Sequence, residues 1–218
     1  MARTAGHPLA IVGFADLTAE SAEDVIERHR AASRSFRGVR QILSRLEDRP
    51  EISFAGLDYL KHKGWRKRFA LLAEHDLSFD LQCYPEQMSE AAAFLADHPD
   101  IPVIIDHAGS PWDQSEDGLK RWRDGLTALA DLPQASIKLC GFGMFDRHWN
   151  AQSIRSLFEI IERLFGYQRM QFASNFPVDK LMRSYGDLLA DMDALTANAD
   201  ESERHAFFAG NARRIYRL

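Results

Sequence analysis

The chain has 218 residues, 45% of them hydrophobic, and its 27 Lys and Arg against 32 Asp and Glu give a formal net charge of −5. That is enough apolar material for one sizeable core and argues for a single domain over residues 1–218. The scattered basic residues (Arg66-Lys67-Arg68 is the one short cluster) argue against a nucleic-acid partner. The lack of a long apolar run argues against a membrane partner, and two isolated cysteines, Cys83 and Cys140, fit a reduced, cytoplasmic setting without disulfides.

Met1–Gly6 lacks the apolar core of a signal peptide. Leu9–Phe14 is the first short apolar run and is predicted as a strand. Thr18 or Ser21 can cap a helix running to about Ala32. Phe36–Ile42 is the second strand, and a helix is predicted from about Lys63 to His75. Leu77–Tyr84 is the third strand, followed after Pro85 by a helix with Met88, Ala92 and Leu95 on one face. Pro102–His107 is the fourth strand, with a helix over Gly118–Leu132. Ala135–Cys140 is the fifth. The clearest helix follows, with Asn150 as N-cap, a stripe of Ile154, Leu157, Phe158, Ile161, Leu164 and Phe165, and Gly166 just past its end. Met170–Asn175 is the sixth strand. Ser184–Thr196 is helical, and a terminal helix opens at Asp200 with Glu203 three residues on.

Strand–helix alternation at this spacing demands an α/β fold with a parallel sheet. No glycine-rich phosphate loop follows the first strand, which weakens a nucleotide-binding open sheet. Several strands alternate in polarity. Leu77, Phe79, Leu81 and Cys83 share one face of the third strand, and Ser78, Asp80, Gln82 and Tyr84 share the other. A closed barrel has an interior for that polar face, with a site at the C-terminal strand ends. The expected fold is therefore a TIM-type (β/α)8 barrel. Only about six βα units are visible, so the first two are expected to be missing from this chain.

Pro102-Val-Ile-Ile-Asp-His-Ala-Gly109 is the sharpest chemical signal. At a strand end, His107 can ligate a metal, act as general acid or base, or polarise a carbonyl; it can also simply bond a loop carbonyl. Asn175 ends the last strand, with turn capping as its structural alternative. Arg40 is suited to clamping a substrate carboxylate, or to pairing with Asp80 or a neighbouring acid. Lys138 carries the same choice, and an interior Asp80–Lys138 or Asp80–Arg40 pair serves structure as readily as catalysis. Gln82 and Tyr84 are read as substrate-facing, with packing under Pro85 as the alternative for Tyr84. His29, His62, His75, His98 and His205 are read as solvated, and His148 as part of a packed loop.

Six ordered segments then match a known pattern: Phe36–Ile42, Leu77–Pro85, Val103–Gly109, Ile137–Phe145, Phe172–Asp179 and Gly210–Tyr216. Together they resemble the amidohydrolase-related family (amidohydrolase 2), in its branch of sugar-acid and pyrone-dicarboxylate lactonases. The resemblance implies a distorted (β/α)8 barrel that hydrolyses lactones or related esters and amides, in some members with a divalent metal. It also implies a His-x-His pair on the first strand, a later His matched by His107, and a water-activating Asp on the last strand. This sequence has no His-x-His, and Asn175 stands where that Asp is expected. A neutral amide can orient water or a carbonyl but cannot be a base. Asp179 is a candidate substitute acid, expected to lie past Pro177 and off the strand. Three zinc ligands cannot be assembled from His107 alone, so no metal ligand is assigned and the cofactor is left open.

The resulting expectation is a hydrolase acting on a lactone or similar cyclic ester of a sugar acid or small carboxylate. The catalytic candidates are His107 and Asn175, and the substrate-binding candidates are Arg40, Gln82, Tyr84 and Lys138. The alternatives are a catalytically impaired barrel fragment that binds a small acidic ligand, and a decarboxylase of the same superfamily. The expected partner is a small-molecule substrate, and self-association into a homo-oligomer is compatible with exposed strand edges.

Overall fold

A computed structural model describes residues 9–218. The Met1–Gly6 segment read above lies outside the described residues. Six parallel strands form one sheet in chain order: β1 (Ile11–Gly13), β2 (Phe36–Ile42), β3 (Ser78–Gln82), β4 (Val103–Ile105), β5 (Ala135–Leu139) and β6 (Met170–Phe172). Among the described residues, β1 pairs with β2 alone and β6 with β5 alone, so the arc is open between them. The strands are shorter than predicted at most ends because their last residues leave the ladder to build the site.

The connecting helices are α1 (Ala22–Ala32), α2 (Lys63–Arg68), α3 (Leu71–Glu74), α4 (Pro85–Leu95), α5 (Glu116–Ala130), α6 (Arg155–Phe165), α7 (Tyr185–Leu195), α8 (Glu201–His205) and α9 (Asn211–Ile215). The helix predicted over Lys63–His75 is split at Phe69–Ala70 into α2 and α3. The Asn150 prediction needs correction. Its side chain accepts from the backbone of Gln152 and Ser153, making a turn, and α6 starts only at Arg155. Gly166 does end α6, at φ +62°, and Asp200 with Glu203 forms the reciprocal cap of α8.

Two apolar cores cover the two faces of the sheet. The larger lies between sheet and helices and includes Trp65, Phe69, Phe79, Met88, Trp122, Leu126, Ile137 and Phe158. The smaller lies on the concave face, where Ile104 meets Ile215 and Tyr216 from the C-terminal segment, with Val12 beside them. The same face carries the polar positions of the alternating strands. Register sets Arg40 beside Asp80 and Asp80 beside Ile104.

The helix-side core also reaches the turn after β4. A Cβ on Gly109 (φ +72°) would stand 2.8 Å from Leu126 Cδ2 and 2.9 Å from Met88 Cε. Gly166 has a positive φ but open space around it. Gly166→Ala is therefore expected to cost about 1–2 kcal/mol from backbone strain alone, and Gly109→Ala about 1–3 kcal/mol more from overpacking. Chemical denaturation of the two variants side by side measures the difference.

Candidate active site

The strand ends of β2 to β5 converge on a buried group of charges. Lys138, from β5, bonds the carboxylate of Asp80 on β3 and lies 3.0 Å from Asp106 Oδ1 just past β4. Tyr216 donates its hydroxyl to Asp80 at 3.2 Å. The other oxygen of Asp106 lies 3.2 Å from Arg40 Nε, an ion pair without hydrogen-bond alignment. The sequence allowed Arg40 to pair with Asp80 or a neighbouring acid. Asp80 goes to Lys138, and Arg40 takes Asp106.

Arg40 also donates to the Gln82 side-chain oxygen and lies 3.1 Å from His107 Nε2. A guanidinium has only donors, so Nε2 must be the bare, accepting nitrogen of a neutral ring. The remaining ring proton belongs on Nδ1, which faces the Cys140 sulfur at 3.6 Å. Burial is the main cause that lowers the His107 pKa to about 4; the Arg40 and Lys138 cations assist and Asp106 opposes. Burial also works against the Lys138 ammonium, but Asp106 and Asp80 outweigh it and hold its pKa well above the ordinary value. Asp80 is pushed up to about 6 by burial, with Asp106 adding and Lys138 opposing. The Cys140 thiol is raised to about 12 by burial first and Asp106 second, so it stays protonated.

The backbone holding His107 is unusual. Four consecutive residues, His107 to Ser110, have positive φ values of 55°, 52°, 72° and 52°. The turn is fixed by Gly109 N–H to Asp106 O (3.0 Å), Ser110 N–H to His107 O (2.8 Å), and the Trp122 indole N–H to Ala108 O (2.8 Å). On its other side the ring abuts Gly141 (φ +75°), where a Cβ would stand 2.6 Å from His107 Nδ1. Such a turn disfavours bulky and β-branched side chains; here tertiary contacts hold His107 and three small residues in it.

Asn175 is set apart from the charges. It lies past β6 at φ +51°, a conformation Asn tolerates. Its amide donates to Asp179 Oδ1 at 2.9 Å, and Asp179 is fully buried beside the Gly141 backbone. Burial, countered by the bonds from Asn175 and Gly141, raises the Asp179 pKa. Tyr84 lies outside the cluster. Its hydroxyl donates to Ile52 O at 2.6 Å, its ring packs edge-on to Trp112, and its backbone caps α4 through Gln87. His148 is exposed, whereas His62 caps α2 by accepting from Trp65 N–H and His98 packs on Phe69 and Phe94.

Beside Arg40 opens a cleft of about 400 Å³, lined by Val12, Phe14, Ile42, Phe54 and Tyr59. Phe14 and Phe54 are exposed at its rim. His107 is 4% exposed, and Arg40 stands at the cleft wall bonded to it. Four side chains that bear on this site were not assigned to it from the sequence: Asp106, Cys140, Phe54 and Tyr216. Asp106 was legible, since period-2 geometry places it on the face of Ile104. The other three depend on tertiary docking.

The amidohydrolase family model matches residues 1–218. The chain belongs to the amidohydrolase family. It is 35% identical over 213 residues to the protein y4mH of Sinorhizobium fredii, covering 98% of this chain and 71% of that one. It is 30% identical over 222 residues to an L-fucono-1,5-lactonase of Burkholderia multivorans, covering 96% and 71%. A crystal structure of an amidohydrolase from Burkholderia multivorans superposes with a TM-score of 0.82 at 28% identity, covering 96% of this chain and 74% of that one. The superposition on a known amidohydrolase makes the six-stranded arc part of a TIM-type barrel. No helix among the described residues is long and apolar enough to cross a membrane.

The Burkholderia multivorans amidohydrolase was also solved with bound zinc. The residues of this amidohydrolase chain do not fit such an ion. A guanidinium sits 3.1 Å from the bare nitrogen of His107, and the other ring nitrogen faces the Cys140 sulfur at 3.6 Å. No group of three His, Cys, Asp or Glu side chains that could hold a metal occurs among the described residues.

Two predictions follow from the charges. His107 has a folded-state pKa below its unfolded value, so its contribution to stability is present above about pH 6.5 and is lost as pH falls toward about 4. Asp80 has the opposite sign: its contribution is present below about pH 4 and is lost as pH rises through about 6. Unfolding free energies of the wild type and His107→Gln between pH 7 and 4.5 should therefore diverge. The wild type should lose up to roughly 3 kcal/mol relative to the variant; parallel curves would show that His107 is not buried and neutral. Lys138→Met leaves two buried carboxylates without their shared cation and should cost about 3–5 kcal/mol in chemical denaturation.

Proposed function

We propose that this amidohydrolase hydrolyses a lactone or similar cyclic ester of a sugar acid or small carboxylate. The observation that carries the reading is the contact between Arg40 and the bare Nε2 of His107 at the wall of a cleft of about 400 Å³. It joins a fixed cationic donor to an uncharged proton acceptor. The kinship with an L-fucono-1,5-lactonase supports the substrate class.

The orientation favours His107 as base over His107 as a donor to the carbonyl, because Nε2 carries the lone pair. The substrate carbonyl oxygen meets the Arg40 guanidinium, which stabilises the negative charge that develops there. As Arg40 turns its N–H from Nε2 to the substrate oxygen, that lone pair is freed, and water adds to the carbonyl carbon and gives its proton to Nε2. Collapse of the tetrahedral intermediate breaks the ring carbon–oxygen bond, and the proton held on Nε2 passes to the departing ring oxygen. The product is the open hydroxy acid, whose carboxyl group releases its proton to solvent and leaves a carboxylate beside Arg40. Gln82 holds the guanidinium in place, and Asp106 and Lys138 fix the charge balance behind it.

The second reading is a barrel that binds a small acid without turnover. It is favoured by the 4% exposure of His107 and by the neutral Asn175 just past the last strand. Acid release from L-fucono-1,5-lactone and a panel of sugar lactones, followed with a pH indicator, separates the two. The lactonase reading expects turnover that falls about 100-fold or more in His107→Gln and comparably in Arg40→Met. It also expects kcat/KM to fall as pH drops through about 4, the His107 pKa, and to stay level from there to neutrality. Binding of the sugar acids with no turnover on any lactone would establish the second reading instead.

A further inference from the structure

At the end of the sheet opposite His107, where β2 begins, a second cavity of about 390 Å³ is lined by Arg30, Arg34, Arg37, Arg217 and His75, with Asp76 as the single carboxylate in its wall. β2 runs seven residues from this cavity to the active-site cluster, roughly 20 Å. Arg37 and Arg40 are three positions apart on β2 and so face opposite sides of it. The two sites are separate.

These arginines partly serve the fold. Arg30 donates to His75 O at 2.6 Å, Arg37 to Phe36 O at 3.0 Å, and Arg217 to Asp76 O at 2.6 Å. They thereby bind carbonyls at the loop ends of α3 and at the start of β2. Carbonyl bonds satisfy N–H groups but leave the charges uncompensated. His75 already faces Glu23 at 3.4 Å, and Asp76, 3.5 Å from Arg217 Nε, is largely in solvent. Arg37 Nε is buried without a hydrogen-bond partner, and the Arg34 guanidinium makes no hydrogen bond among the described residues. Four guanidiniums thus crowd one cavity in a chain whose net charge is −5.

We propose that this cavity binds a compact oxyanion of two or more negative charges, the phosphate group of a small molecule or free phosphate itself. Guanidinium planes match phosphate oxygens two at a time, and the spare N–H groups of Arg34 and Arg37 supply the donors. The cavity is too small, and the chain too acidic overall, for a nucleic-acid track.

Isothermal titration of the purified chain with inorganic pyrophosphate, orthophosphate, glucose 6-phosphate and acetate tests the proposal. Pyrophosphate is expected to bind one to one, more weakly as ionic strength rises, and acetate not at all. Whichever of orthophosphate and glucose 6-phosphate binds more tightly identifies the source of the group. Arg34→Gln should weaken pyrophosphate about tenfold, and Arg34→Glu further. Neither should shift the melting temperature, because that side chain is exposed and bonds nothing. Lys120→Glu, on α5 and outside the cavity, should leave binding unchanged. Absence of pyrophosphate binding at millimolar concentration, or equal weakening by Arg34→Glu and Lys120→Glu, would overturn the proposal. Neither result bears on lactone hydrolysis.

Discussion

The concave face of the sheet depends on one alternation of charge: Asp80, Lys138, Asp106 and Arg40, two anions and two cations from four consecutive strand ends. Each group alone would cost several kcal/mol to bury. Interleaved, each cation lies against an anion, and the apolar trio Ile104, Ile215 and Tyr216 seals them from below. The network fixes the register of β2 to β5 at the level of the site. It also bears on the state of His107. Burial keeps that ring neutral, and Arg40 and Lys138 add to it against the opposing pull of Asp106.

That neutral imidazole is held by backbone geometry as much as by charge. A strand that simply continued past Asp106 would send residue 107 to the opposite face. Instead the chain turns through four left-handed residues, keeping both Asp106 and the His107 ring toward the cavity. Gly109 permits the close approach of Met88 and Leu126 on the helix side, and Gly141 permits the close approach of the ring on the other. Glycine is required at both places for different reasons: one turns away from a packed core, and the other clears space for a side chain. The site is thus a product of strand ends that stop early, which is why β4 and β6 are only three residues long.

Much of this was legible in the sequence. Period-2 polarity in Leu77–Tyr84 and Ala135–Cys140 pointed to the polar interior and left Asp80 a choice between Lys138 and Arg40, which the structure resolves for Lys138. The order of apolar runs and helical stripes marked all six parallel strands, and the alternating polarity within them favoured a barrel over an open sheet. What was not legible needed three dimensions. Tyr84 shares the polar phase of its strand, but the strand ends at Gln82, and beyond it alternation no longer decides direction. Its hydroxyl goes to a loop carbonyl 32 residues upstream. Asn150 looked like the N-cap of α6 because Asn caps both turns and helices; local chemistry does not distinguish an isolated turn from the first turn of a helix. The left-handed run at His107 gave only one sequence sign, Gly109, and Ala108 in that conformation is set by tertiary contacts.

Past the last strand, Asn175 and Asp179 act as a pair. Asn175 has no charge, and Asp179, four residues on, is the carboxylate beside it. That carboxylate does not reach the cleft: Asp179 is fully buried, with one oxygen on the Asn175 amide. A carboxylate accepts only, so the amide nitrogen must face it, and the Asn175 carbonyl oxygen is left to point the other way. Asp179 therefore sets which end of Asn175 is offered outward, an acceptor suited to a hydroxyl or a water. In the proposed lactone hydrolysis, proton transfer then rests on the bare nitrogen of His107, which unlike the Gln82 amide oxygen is a basic acceptor.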